Sequence, residues 1–125
     1  MEIGSPQYQS KIRMATSSVK SLNWKYLGMT NGDGSISLPS EWNELHIEAG
    51  ETDVGSSELR YLHSAHVVRI GLPSTGKFYY AGEYRDSSNN CQVIFLVTTT
   101  TAKCAYYYSK GQSIISSVQF RAWYR

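Results

Sequence analysis

The closing stretch Val118-Gln119-Phe120-Arg121-Ala122-Trp123-Tyr124-Arg125 decides the fold class. Val118, Phe120, Ala122 and Tyr124 fall on one side of an extended chain, and Gln119, Arg121, Trp123 and Arg125 on the other. Side chains of a strand point alternately to its two faces, so this pattern predicts a β-strand with its first set in a core. Such a strand ties the end of the sequence into a sheet. It also leaves Trp123, a large apolar ring, on a basic outer face beside Arg121, a placement that predicts contact with another chain.

Outward from that strand the same chemistry repeats. Leu22 to Gly28 (LNWKYLG) and Ile36-Ser37-Leu38 read as strands joined by Asn31-Gly32-Asp33-Gly34, residues that tolerate positive φ and predict a hairpin loop, with Pro39 ending the second strand. Leu45, Ile47 and Ala49 alternate with Glu44, His46 and Glu48, predicting a strand with one buried and one wet face. Glu51 to Leu62 is polar and glycine-containing and reads as a long loop. Strands resume at Ala65 to Ile70 and Lys77 to Tyr84. Cys91 to Val97 shows no alternation and reads as buried on both faces, and Cys104 to Tyr108 leads to a glycine turn at Lys110-Gly111-Gln112. About eight strands with no long helix predict an all-β, antiparallel β-sandwich, jelly-roll-like, over residues 22–125. An up-and-down barrel is the competing architecture.

Residues 1–21 differ in composition and read as a short N-terminal arm. Tyr8, Ile12, Ala15, Val19 and Leu22 are spaced as the a and d positions of a heptad, so the arm is either a coiled-coil stub that gathers chains or a flexible segment with a chance pattern. A chain of 125 residues can bury a core without metal or disulfide support. With 18% charged residues and a net charge of +2 it lacks the basic stripe of a nucleic-acid binder. No apolar run approaches the roughly 18 residues of a membrane-spanning helix, and no secretory leader pattern opens the sequence. Synthesis in a reducing compartment is expected, with Cys91 and Cys104 as buried thiols, although a hairpin turning at Thr98 to Thr101 would also permit a disulfide. Ten tyrosines and three tryptophans against three phenylalanines favour rings with a polar handle, suited to contact surfaces or to aromatic strands.

No constellation reads as catalytic. His63 and His66 lie three apart on a strand, which directs the rings to opposite faces, and a zinc site would need further ligands. His46 with Glu44 and Glu48 is a tighter group, read either as an exposed polar strand face or as a cluster repeated around an oligomer axis. The carboxylates lack the opposed spacing of a glycosidase, and there is no nucleophile elbow or phosphate loop. No enzymatic activity, metal or cofactor is expected. Candidate ligand-binding residues are loop-side rings with hydrogen-bonding neighbours: Trp42 with Asn43, and Tyr84 with Asp86, Asn89 and Asn90; Tyr61, Tyr79 and Tyr107 are further candidate rings. Candidate oligomer or partner contacts are Tyr8, Ile12, Val19, Arg121 and Trp123.

The order of these elements resembles a known family. Trp24 to Gly28 (WKYLG), Ile36 to Pro39 (ISLP), Trp42 to Ile47 (WNELHI), Val68 to Ile70, Phe78 to Tyr84 (FYYAGEY) and the terminal aromatic and arginine strand are similar to the C-terminal β-sandwich domains of bacteriophage and prophage tail-fibre and related virion proteins of Gram-positive hosts. The resemblance covers nearly all of residues 22–125. It implies a virion protein, on a tail or head fibre or decorating a particle, that is homotrimeric, touches other virion proteins and binds a host surface glycan or other receptor, without nucleic acid or membrane insertion. A purely structural virion assembly protein and a carbohydrate-binding module are the alternatives.

Overall fold

A computed structural model of the chain describes residues 23–52, 59–84 and 90–125, with backbone alone for Thr52, Arg60, Tyr61, Glu83, Tyr84 and Asn90. The arm with Tyr8, Ile12 and Val19, and the loop residues Asp86 and Asn89, lie outside the described residues. Nine strands run through the described residues: β1 (Lys25–Asn31), β2 (Ser35–Ser37), β3 (Glu44–Thr52), β4 (Leu59–Val68), β5 (Lys77–Tyr84), β6 (Asn90–Val97), β7 (Thr101–Ser109), β8 (Gln112–Ser113) and β9 (Val118–Tyr124), with a 3-10 turn at Ile115–Ser117. They form two antiparallel sheets, one in the order β1-β9-β3-β4 and one in the order β2-β7-β6-β5 with β8 on the side of β7. The chain is an all-β sandwich.

The closing strand lies where its alternation predicts. Val118, Phe120 and Ala122 are fully buried between the sheets. From the facing sheet, Val93, Phe95 and Val97 of β6 meet them, with the rings of Phe95 and Phe120 5.9 Å apart. Fully burying a phenylalanine side chain contributes about 1.5–3 kcal/mol, so this inter-sheet row is a main source of stability. β9 is held on both sides, by β1 and by β3, and the chain end is clamped further: Asn43 and Glu44 each donate a backbone N–H to the Arg125 carbonyl at 2.9 Å.

Turn chemistry closes the β6–β7 hairpin at the threonine run. The Thr98 hydroxyl accepts the backbone N–H groups of Thr100 and Thr101 at 3.2 and 3.0 Å, a side-chain mimic of a backbone turn. At the next turn Lys110 and Gly111 both take positive φ (52° and 86°), the combination a tight two-residue hairpin requires.

Four local expectations are corrected. Asn31 to Gly34 does not make a hairpin, because β1 pairs with β9 and β2 with β7; the segment is a corner between sheets, with Gly32 buried against Ile115 and Val118. Of the long loop expected from Glu51 to Leu62, the described residues are strand, since β3 extends to Thr52 and β4 begins at Leu59. The β6 run is one-sided: Val93, Phe95 and Val97 are buried, whereas Ile94 and Leu96 are only partly covered on the outer face. The face of β3 expected to be wet is covered at His46 and Glu48. His46 is 9% exposed and Glu48 is 0% exposed, because β3 lies inside its sheet and long side chains from β9 lie across it.

Cys91 and Cys104 are free thiols. The register sets Cys91 against Ser109 and Cys104 against Phe95, four residues from Cys91. At about 3.3 Å per residue that separation exceeds what a disulfide spans.

Candidate functional site

The outer face of the four-stranded sheet carries a row of rings fixed by strand register. Tyr26 of β1 is opposite Trp123 of β9, Trp123 is opposite His46 of β3, and His46 is opposite His66 of β4. Ring centroids are 5.2 Å apart for Tyr26 and Trp123 and 5.6 Å for Trp123 and His46. Trp24, just before β1, makes edge-type contacts with His46 at 6.2 Å and with His66 at 5.9 Å. Five rings thus cross the whole sheet. Directly opposed residues on neighbouring strands approach within about 4.5–5.5 Å, which is why a row of aromatic residues at one register position becomes a contiguous strip.

A second row underlies the strip with charge. Arg121 of β9 is opposite Glu48 of β3, and its Nε–H donates to Glu48 Oε1 at 2.8 Å. His46 Nε2 donates to the other carboxylate oxygen, Oε2, at 2.9 Å. Glu48 therefore joins the two, with both oxygens occupied. The Glu48 side chain is 1% exposed and Arg121 15%, so this is a desolvated ion pair on the outer side of a sheet. The Arg121 guanidinium also lies 5.3 Å from the centre of the Trp123 ring.

A third group forms the rim. Glu44 Oε1 is 3.1 Å from Arg125 Nη2 and 3.2 Å from His66 Nε2. The Arg125 guanidinium lies 4.6 Å from the centre of the Trp24 ring. Unlike the Glu48 group this rim is open: the His66 side chain is 48% exposed and the Glu44 and Arg125 side chains about a third. Burial lowers the His66 imidazole below its usual value, against the opposing pull of Glu44. Tyr26 is 55% exposed and its hydroxyl is raised, chiefly by burial of its inner part.

This arrangement presents flat aromatic faces backed by a rigid, fully paired carboxylate and edged by accessible donors and acceptors. Such a surface can stack an apolar ring face while hydrogen-bonding the groups at its edge. Among the described residues no three His, Cys, Asp or Glu side chains group so as to hold a metal ion.

The residues expected at the site divide. Arg121 and Trp123 lie at its centre, joined to His46, Glu44 and Glu48. Trp42 is corrected: its ring is fully buried, its Nε1–H donates to the Thr99 carbonyl at 2.8 Å, and the Arg69 guanidinium covers it at 5.6 Å. It plugs one end of the core and offers no face to a ligand. Asn43 beside it is exposed, and its backbone N–H donates to the Arg125 carbonyl at the end of the sandwich. Tyr84 and Asn90 are paired in the β5–β6 ladder. Tyr107, another candidate ring, is fully buried and hydrogen-bonded to Cys91, with its hydroxyl driven far up by burial.

Nothing in the local sequence around Trp24, Tyr26 and His66 marks them as members of one site. The available signal was parity, because Trp24 and Tyr26 lie on one side of their strand as Trp123 and Arg121 do on theirs. His63 and His66 do point to opposite faces: His63 contacts core Tyr107 at 6.0 Å, and His66 joins the outer row. Comparison with family models, curated proteins and solved structures gives no match to this chain.

Proposed function

We propose that this chain is a non-enzymatic attachment module of a bacteriophage particle that binds host surface glycan through the outer face of its four-stranded sheet. The observation that carries the binding reading is the ring row Tyr26–Trp123–His46–His66 with Trp24 above it, set over the buried Arg121–Glu48–His46 network. A buried ion pair stabilises a fold little compared with apolar residues of the same size, so its presence under a solvent-facing aromatic strip favours a role in holding that strip. Sugars fit the chemistry: their C–H faces stack on tryptophan and tyrosine, and their hydroxyls find Glu44, His66 and Arg125 at the rim.

The virion setting rests on the family resemblance. Several copies on one particle would turn weak single-site binding into firm attachment by raising effective concentration. A purely structural assembly role is the second reading, favoured by the exposed Phe78 and Tyr80 on the other sheet.

The test is retention of the purified protein on immobilised Gram-positive cell-wall polysaccharide, compared with Trp24→Ala and Tyr26→Ala. Retention by the wild type, lost in both variants while their circular dichroism is unchanged, is expected. Failure of the wild type to bind, or equal binding by both variants, would overturn the glycan reading.

A further inference from the structure

We propose that β5 is a self-pairing edge, through which two copies of this chain join their larger sheets by antiparallel β5–β5 pairing. β5 is the last strand of the order β2-β7-β6-β5 and pairs with β6 along its whole length, from Lys77 opposite Val97 to Tyr84 opposite Asn90. Among the described residues no strand pairs with its other side. An eight-residue edge is long, it has no proline, and its charges stand at positions 77 and 83, towards the two ends, leaving the middle apolar.

The sequence of the edge is complementary to itself. In the register that sets Tyr80 against Tyr80 of the other copy, Tyr79 is opposite Ala81, Phe78 is opposite Gly82 and Lys77 is opposite Glu83. Large residues meet small ones, and the cation position meets the anion position twice by symmetry. Gly82 has φ +118 and stands so close to the Cys91 carbonyl that a side chain cannot be added, which leaves a bare position for Phe78 to cover. A slip of one residue would turn the outer face of the second copy towards the core side of the first, and a slip of two would lose the charge pairing.

The exposed surface agrees with this register. Phe78 is 54% and Tyr80 76% exposed on the outer face of β5. Their ladder partners Leu96 and Ile94 continue the apolar strip onto β6, and Tyr106 and Tyr108 stack at 5.9 Å on β7. Pairing at the Tyr80 axis would run the strips of the two copies together and remove the open edge from both. The contact is isologous and closes on itself, giving a pair of chains where the family resemblance implies three. It lies on the opposite sheet from the ring row, so the two proposals stand or fall separately.

The experiment is sedimentation equilibrium of the full chain across a wide concentration series. The wild type is expected to approach twice the chain's 14.1 kDa. Lys77→Glu should raise the dissociation constant about tenfold or more, because it sets like charges opposite each other at both ends. Adding Glu83→Lys to that variant should restore association, and Tyr80→Lys alone should abolish it. Thermal melts of each variant separate loss of pairing from loss of fold. A monomeric wild type, or an oligomer whose mass none of these substitutions changes, would overturn the proposal.

Discussion

Replacing Glu48 with alanine removes the one carboxylate between Arg121 and His46 and strands both in a site that water scarcely reaches. Two hydrogen bonds vanish, at 2.8 Å from Arg121 Nε and 2.9 Å from His46 Nε2. Hydrogen bonds to charged groups contribute about 1.5–3 kcal/mol each, and removing one member of a buried pair costs about 3–5 kcal/mol. Two such bonds at the lower bound give about 3 kcal/mol, the lower end of the second range, so we expect Glu48→Ala to destabilise by about 3–5 kcal/mol. That is a large fraction of the roughly 5–15 kcal/mol available to a domain. Urea titration followed by tryptophan fluorescence would show a fall in midpoint of roughly 2 M. The combined variant Glu48→Leu with Arg121→Met leaves no charge stranded and only the His46 ring nitrogen without its acceptor, and should cost about 1–3 kcal/mol, less than Glu48→Ala. A Glu48→Ala cost below about 1 kcal/mol, the value of an exposed pair, would refute the claim that this network is desolvated.

Two further outcomes follow from the titratable groups. Burial holds the folded His66 below 6.5, so as pH falls the unfolded chain takes up that proton first. The contribution of His66 is therefore complete above pH 6.5 and is lost as pH drops through the depressed folded value; melting temperatures measured from neutral to mildly acid pH should fall less steeply in His66→Gln than in the wild type. Burial pushes the Cys104 thiol from 9.0 up to about 11, which lowers its thiolate fraction at neutral pH about a hundredfold. Mass spectrometry after brief exposure to iodoacetamide should find Cys104 unmodified in the native chain and modified in urea; rapid native alkylation would contradict its placement in the core.

The elements that were legible in the sequence are those whose period is local. β9 is read directly from Val118, Phe120 and Ala122, because alternation depends only on the strand itself. The two-sheet fold follows from several such strands separated by turn residues. Pairing depends on distant segments, and there the local reading fails: Asn31 to Gly34 has hairpin chemistry, yet the strands it joins enter different sheets. Glu48 fails for the same reason. Its alternation marks an outward position, but its burial depends on Arg121, 73 residues away in sequence. Trp42 shows the limit for ligand sites, since a tryptophan beside polar residues looks the same in sequence whether its Nε1–H meets a sugar or, as here, the Thr99 carbonyl. Arg121 and Trp123 were legible as outer-face residues, whereas their partners Tyr26, His46 and His66 become neighbours only through the register of four strands.

The three indole N–H signals in NMR spectra, followed during titration with soluble Gram-positive cell-wall polysaccharide, decide whether the ring row binds glycan. Trp24 and Trp123 lie in the row, while Trp42 is buried with its Nε1–H bonded to Thr99 and serves as the internal control. A glycan-binding ring row shifts the Trp24 and Trp123 signals with added polysaccharide and leaves the Trp42 signal in place. Signals that all stay in place, or a shift confined to Trp42, would contradict it.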